Sequence, residues 1–209
     1  MKYKVALFDL DNTLLKTDAA SVAAMTAALK EDGKQIEPQD VVKLMGIPAL
    51  AMVKELGATD PEETVKVFNE KITHEYDLIE EYPGIDDMFN GLTALGIKYG
   101  IVTSKKKSVF IDEMKHFPKI NAIKKVVYSD DTAKHKPNAD PLEYAMNNYF
   151  NDYKKQDFIY IGDSLFDMKA AHAAGIDFAN AGWGAIPTND FSAAEYILHN
   201  PTDLLNIMR

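Results

Sequence analysis

Val5-Ala6-Leu7-Phe8-Asp9-Leu10-Asp11-Asn12-Thr13-Leu14 is the stretch around which this chain is organised. Val5 to Phe8 is an unbroken apolar run, the right length for a strand buried on both faces of a parallel sheet. Asp9 follows at once and Asp11 comes two residues later. In an extended chain that spacing points both carboxylates to one side, where they repel unless a cation sits between them. Asn12, a turn former, and Thr13 then end the strand. Acids at the carboxyl end of a buried strand lie where open α/β sheets bind ligands. An isolated Asp-x-Asp is equally an ordinary solvated turn, so matching pieces elsewhere must decide.

The 209 residues are 46% hydrophobic, enough for one sizeable core and a modest insert. No apolar run approaches the ~18–20 residues of a membrane span. Met-Lys-Tyr-Lys runs straight into the first strand, so neither a secretory signal nor a membrane association is expected. The absence of cysteine excludes disulfides, a thiol nucleophile and thiolate metal sites, and fits a cytoplasmic protein. A formal charge of −9 argues against a nucleic-acid-binding face. The single arginine is Arg209, so an anion site must rely on lysine, hydroxyls, backbone N–H groups or a metal.

Beyond Leu14 the pattern turns helical. Val22, Met25 and Leu29 share a face of a helix expected from Asp18 to Gly33. Pro38 opens a second helix and a third follows Pro48. A fourth starts at Asp60-Pro61-Glu62-Glu63, and Val65, Phe68, Ile72, Tyr76 and Ile79 continue at helical spacing. Nothing in residues 15–82 reads as a strand, which predicts a small helical insert. Tyr82-Pro83-Gly84 marks the return to the main domain. Strands at Ile97–Val102, Val126–Tyr128, Phe158–Ile161 and Ile176–Ala179 then alternate with helices. The expected fold is therefore α/β, a Rossmann-like parallel sheet with helices on both faces, built from residues 1–14 and 83–209.

Four strand ends carry polar groups. The first gives Asp9 and Asp11. The second gives Thr103-Ser104, hydroxyls and backbone N–H groups that suit either a phosphate or a plain helix cap. The third is the loop Lys134-His135-Lys136-Pro137. The fourth is Gly162-Asp163-Ser164-Leu165-Phe166-Asp167, whose glycine allows a close approach and whose acids could equally cap the following helix. Lys105-Lys106-Lys107 reads as a solvated helix start or as an anion-attracting patch, Trp183 as packing or a substrate contact, and His74 as solvent-facing. His116, His135, His172 and His199 show no metal-ligand spacing.

Taken together, these pieces resemble the haloacid dehalogenase-like hydrolase superfamily, and within it the phosphoglycolate phosphatase and β-phosphoglucomutase branch. Its four motifs correspond to Asp9-Leu10-Asp11-Asn12-Thr13, Ile101-Val102-Thr103, Lys136-Pro137 and Gly162–Asp167. The insert over 15–82 resembles that family's α-helical cap domain. The resemblance implies Asp9 as the nucleophile of an aspartyl-phosphate and Asp11 as the group that protonates the leaving alcohol and then activates water. It implies Mg²⁺ held by Asp9, the Asp11 backbone carbonyl and Asp163, supported by Asp167, an oxygen set suited to a hard cation. Thr103, Lys136 and the Ser104 backbone N–H would bind the phosphoryl oxygens, with Lys134 the alternative lysine.

Two departures from the pattern, and one residue that fits it, refine this. A second proline expected soon after Pro137 is delayed to Pro141. The turn Met45-Gly46-Ile47-Pro48-Ala49 lacks the arginine with which the mutase branch grips a second phosphate. Asp11 counts against a dehalogenase. The expected function is a magnesium-dependent phosphatase of a small phosphorylated metabolite. A phosphomutase and, from another class, a phosphoaccepting signalling module are the alternatives. Cap residues that set specificity and the oligomeric state are not encoded in any motif.

Overall fold

The structure is a computed structural model, and it describes residues 2–45 and 47–209. In chain order the elements are β1 (Val5–Phe8), β2 (Leu15–Lys16), α1 (Asp18–Glu31), α2 (Pro38–Val42), α3 (Ala49–Glu55), α4 (Pro61–Lys71) and β3 (Glu80–Glu81). There follow α5 (Ile85–Ala94), β4 (Lys98–Val102), α6 (Lys107–Glu113), α7 (Pro118–Asn121), β5 (Val126–Val127) and α8 (Asp140–Tyr149). The chain ends with β6 (Phe158–Gly162), α9 (Leu165–Ala174), β7 (Asp177–Ala181), β8 (Tyr196–Leu198) and α10 (Leu204–Ile207). Its contacts divide it into two units, Met1–Lys16 with Glu81–Arg209, and Thr17–Glu80.

In the larger unit six strands form one sheet in the order β5-β4-β1-β6-β7-β8. Every pairing is parallel. The order runs outward from β1 to one side, then returns and runs outward to the other, so the direction of winding reverses between β1 and β6. Ligands bind at such reversals, beyond the carboxyl ends of the strands. β1 is wholly buried because both sheet faces are covered. Val5 and Leu7 point to a core with Leu142, Ala145 and Met146 of α8 and Ala170, Ala171 and Ala174 of α9. Phe8, on the opposite face, meets Phe89 of α5 at 5.4 Å between ring centroids. No helix among the described residues is long and apolar enough to cross a membrane.

The smaller unit is helical around Met25, Leu29, Val41, Met52 and Val53. Asp60 caps α4 by accepting from the Glu63 N–H at 3.1 Å. The sequence periodicity overruns this helix. α4 stops at Lys71, and Ile72–His74 and Tyr76–Leu78 are single 3₁₀ turns. There the Thr73 hydroxyl donates to the Glu70 carbonyl at 2.7 Å, as the Thr26 hydroxyl does to Val22 inside α1. Ser21, Met25, Met45, Ile47, Met52 and Phe68 line a small apolar cleft of about 130 Å³. Gly46, central to the turn singled out above, lies outside the described residues.

The sequence pattern predicts no strand in residues 15–82, yet β2 and β3 lie there. Two residues are too few to print a period, and Glu-Glu is a poor strand former. β8 is also new, a three-residue edge strand that leaves Ile197 half exposed.

The turn after β1 is fixed from two sides. Asn12 takes φ 54°, a left-handed conformation that asparagine tolerates, and the Leu14 and Leu15 N–H groups donate to the Leu10 carbonyl at 2.9 and 3.0 Å. The loop after β7 braces it: the Trp183 indole N–H donates to the Thr13 carbonyl at 2.9 Å. A Cβ on Gly184 would fall 1.7 Å from the Asn12 carbonyl oxygen, so backbone meets backbone there. Gly184→Ala must displace one of these loops. We expect it to lower stability by about 1–3 kcal/mol, the range for overpacking. Thermal unfolding measures this, and an unchanged melting temperature would show that the two loops do not pack this closely.

Candidate active site

Strand register assembles the site. Phe8 is level with Ile101 on β4 and Ile161 on β6. One residue further, the Asp9 N–H donates to the Ile161 carbonyl at 2.8 Å and holds that acid at the sheet's edge. Two residues beyond Ile101 and Ile161 come Thr103 and Asp163. The Thr103 N–H donates to Val127 O at 3.0 Å, so Thr103 is buried at the same edge.

At the centre stands the ammonium of Lys136, whose side chain is 7% exposed. Its Nζ lies 2.6 Å from Asp9 Oδ1 and 2.7 Å from Asp167 Oδ1. It also donates to the Tyr160 hydroxyl at 3.1 Å. That hydroxyl lies 3.1 Å from both Asp167 Oδ1 and the Val102 carbonyl. Burial alone would lower the lysine's pKa, but the facing charges of Asp167 and Asp9 outweigh it and hold the ammonium well above its ordinary value. Burial pushes the Asp9 carboxyl up to about 7 even against the pull of Lys136. Asp163 is pushed well up by burial and then by the charges of Asp167 and Asp9.

Asp167 does two jobs. It forms a capping box with Ser164, whose hydroxyl accepts from the Asp167 N–H at 3.2 Å while Asp167 Oδ2 accepts from the Ser164 N–H at 3.1 Å. Its other oxygen pairs with Lys136, so the cap and ion-pair readings hold at once. A Cβ on Gly162 would lie 2.6 Å from Asp167 Cβ, which explains the glycine before these acids.

Asp9, Asp163 and Asp167 each offer a carboxylate oxygen, all within 4.8 Å of one another. Three carboxylates beside one ammonium leave two negative charges when all are ionised. The oxygen-only donor set, the residual charge and the upward-shifted carboxyls all suit a hard divalent cation. Thr13 donates to Asp163 at 3.4 Å from the motif turn. The Asp11 carboxylate stands outside this group.

Asp11 belongs to a second cluster. Its Oδ1 lies 2.7 Å from Lys105 Nζ, which in turn lies 2.5 Å from Glu113 Oε2. Lys105 therefore departs from the solvated run expected of Lys105–Lys107. Lys106 and Lys107 are exposed, while the Lys105 side chain is only 12% exposed. Burial favours its neutral form, yet Asp11 and Glu113 outweigh this and raise its pKa. The expected helix start at Thr103-Ser104 also moves, because α6 begins at Lys107. Thr103 Oγ1 instead accepts from the Lys105 N–H at 3.1 Å, and Ser104 is exposed beside it. Lys134 is exposed, so of the two loop lysines it is Lys136 that reaches the acids.

Sequence reasoning missed Tyr160, Lys105 and Glu113 as members of the site. Tyr160 carried a faint signal, as the one polar-tipped residue in the buried run Phe158–Ile161. Glu113, 1% exposed on α6, looked like any helix acid.

Residues 6–181 match the family described as haloacid dehalogenase-like hydrolase. The pyrophosphatase PpaX of Halalkalibacterium halodurans is 30% identical over 214 residues, spanning 100% of this chain and 98% of that protein. A Lactobacillus plantarum protein provisionally designated a phosphoglycolate phosphatase superposes with TM-score 0.88 at 31% identity, covering 99% of this chain and 100% of that one. A provisionally designated β-phosphoglucomutase from Thermotoga maritima shares the fold, with TM-score 0.76, 19% identity and 98% of each chain covered. Family match and full-length relatives agree with the six-stranded sheet and its acidic edge: the chain belongs to the haloacid dehalogenase-like hydrolase family, and it is an enzyme of the phosphatase kind.

Proposed function

We propose that the protein is a magnesium-dependent phosphatase of a small phosphorylated metabolite, working through an aspartyl-phosphate on Asp9. The observation that carries the reading is the buried convergence of Asp9, Asp163, Asp167 and Lys136 at the reversal of the sheet. Mg²⁺ would be held by Asp9, Asp163 and the Asp11 backbone carbonyl with Asp167 in support, and it would neutralise charge on the phosphoryl oxygens.

In this reading an Asp9 carboxylate oxygen attacks phosphorus and the bond to the leaving oxygen breaks. Lys136, the Thr103 hydroxyl and the Ser104 backbone N–H bind the phosphoryl oxygens. Because Thr103 Oγ1 already accepts from the Lys105 N–H, its own proton is free to turn towards the phosphate. Asp11 gives its proton to the departing alkoxide. It then takes one from the water that attacks the aspartyl-phosphate, releasing phosphate and restoring Asp9. The helical unit Thr17–Glu80 is proposed as the cap domain that selects the substrate. The names of the H. halodurans and L. plantarum relatives put pyrophosphate and phosphoglycolate first in a screen that reads released phosphate. No arginine precedes Arg209 to grip a second phosphate, which favours hydrolysis over a mutase.

Mg²⁺ should raise the melting temperature, because it relieves repulsion among carboxylates that the folded state brings together. A chelator should abolish phosphate release and reverse that shift. Full activity in excess chelator would overturn the metal assignment. Asp9→Asn should form no phosphoenzyme and show no turnover. Asp11→Asn keeps its backbone carbonyl and loses proton transfer, typically worth ~10²–10⁴-fold. The loss should be severe for an alkyl phosphate and milder for an aryl phosphate, whose leaving group needs no proton. Equal losses on both esters, with no burst of aryl product, would rule out the acid–base role.

A further inference from the structure

We propose that Lys105 and Glu113 are positioning residues that hold the Asp11 carboxylate in line with the leaving oxygen. The proposal rests on the reading of Asp11 as the acid–base group. Asp11 lies in the turn beyond β1 and its side chain is 36% exposed, a setting in which an ordinary aspartate–lysine pair is mobile and worth little. Its partner is not ordinary. Lys105 is fixed at both ends, by its backbone N–H on Thr103 Oγ1 at 3.1 Å and by its Nζ on Glu113 Oε2 at 2.5 Å.

Glu113 is 1% exposed, and its Oε1 has no hydrogen-bond partner among the described residues. A buried carboxylate that is only half satisfied costs stability, so a structural role alone explains it poorly. As an anchor it makes sense. Ammonium and carboxylate together are neutral, so the pair gives Asp11 a rigid hydrogen-bond donor without a net charge. With Oδ1 tied to Lys105, Oδ2 is the oxygen presented to the leaving group. The lysine also joins two functions on one residue: its N–H orients the Thr103 hydroxyl and its Nζ orients Asp11.

The test is a double-mutant cycle between Lys105→Met and Asp11→Asn, read as kcat and KM on an alkyl and an aryl phosphate. Lys105→Met should lower kcat for the alkyl ester by on the order of 10–100-fold, as a misplaced catalytic group does, with a much smaller effect on the aryl ester. KM should stay within about 2-fold, since no binding contact is lost. In the Asp11→Asn background the same change should cost less than about 2-fold, because a residue that acts through Asp11 has nothing left to position. Lys105→Arg should recover part of the alkyl activity, and Glu113→Gln should show a smaller loss of the same selectivity. If Lys105→Met does not fold, Lys105→Met with Glu113→Gln removes both charges and serves in the same cycle. Equal losses in both backgrounds, or a raised KM at unchanged kcat, would overturn the positioning role while leaving Asp11 in place. An Asp11→Asn variant without ester selectivity would instead remove the acid–base reading, and the positioning role with it.

Discussion

The ammonium of Lys136 between Asp9 and Asp167 is the constraint on which the rest of the larger unit depends. Withdrawing these ions from water costs several kcal/mol each, which only close pairing and further hydrogen bonds repay. The distances of 2.6 and 2.7 Å and the Tyr160 hydroxyl supply both. The partners come from the end of β1, the loop before α8, the first turn of α9 and the middle of β6. Removing Lys136 leaves buried carboxylates facing one another without a counter-charge, so the end of β1, the loop before α8 and the β6–α9 stretch must be in place together. The sheet provides the frame: β1 is central, β6 is its neighbour, and their shared register sets Asp9 and Asp163 at one edge.

The cluster is locally over-determined, and this bears on its chemistry. A carboxylate meant to attack phosphorus gains from being held rigidly and from shedding its water, because neither then has to be arranged during the reaction. Burial that pushes the Asp9 carboxyl up to about 7 works against ionisation, and Lys136 alone does not reverse it. The two negative charges left when all three acids ionise match a divalent cation. In the proposed reaction that cation completes a balance which the protein's own groups leave open.

Much of this was legible in the sequence, for reasons that can be named. Parallel strands buried on both faces print continuous apolar runs, so β1 and β6 stood out, and β4 showed only through its buried end Ile101-Val102. Acids directly after such runs stood out with them, and Asp9, Asp163, Asp167 and Lys136 are indeed brought together. β2 and β3 are two residues each, and unlike the equally short Val-Val of β5 neither is an apolar pair, which is why they escaped. Lys105 was misread because charge in a Lys-Lys-Lys run says nothing of which side chain turns inward. That depends on Glu113, eight residues on and one face of α6 away. The helical run beyond Lys71 failed for another reason. Spacing records where apolar residues fall, not where the backbone leaves the α-helical ladder for the 3₁₀ turns that begin at Ile72.

The two ion clusters differ in a way that follows from the tasks proposed for them. Asp9 and Asp167 are almost fully buried, and both pair with Lys136 from the loop before α8. The Asp11 side chain remains 36% exposed and is tied to a lysine that is itself immobilised. A nucleophile has one target and profits from fixity. A group that must meet first a leaving oxygen and then a water needs access to solvent, yet it loses rate if it wanders. A buried anchor with an exposed carboxylate at its tip reconciles these demands. The price is a half-satisfied Glu113 inside α6, a loss of stability that packing alone would not have selected.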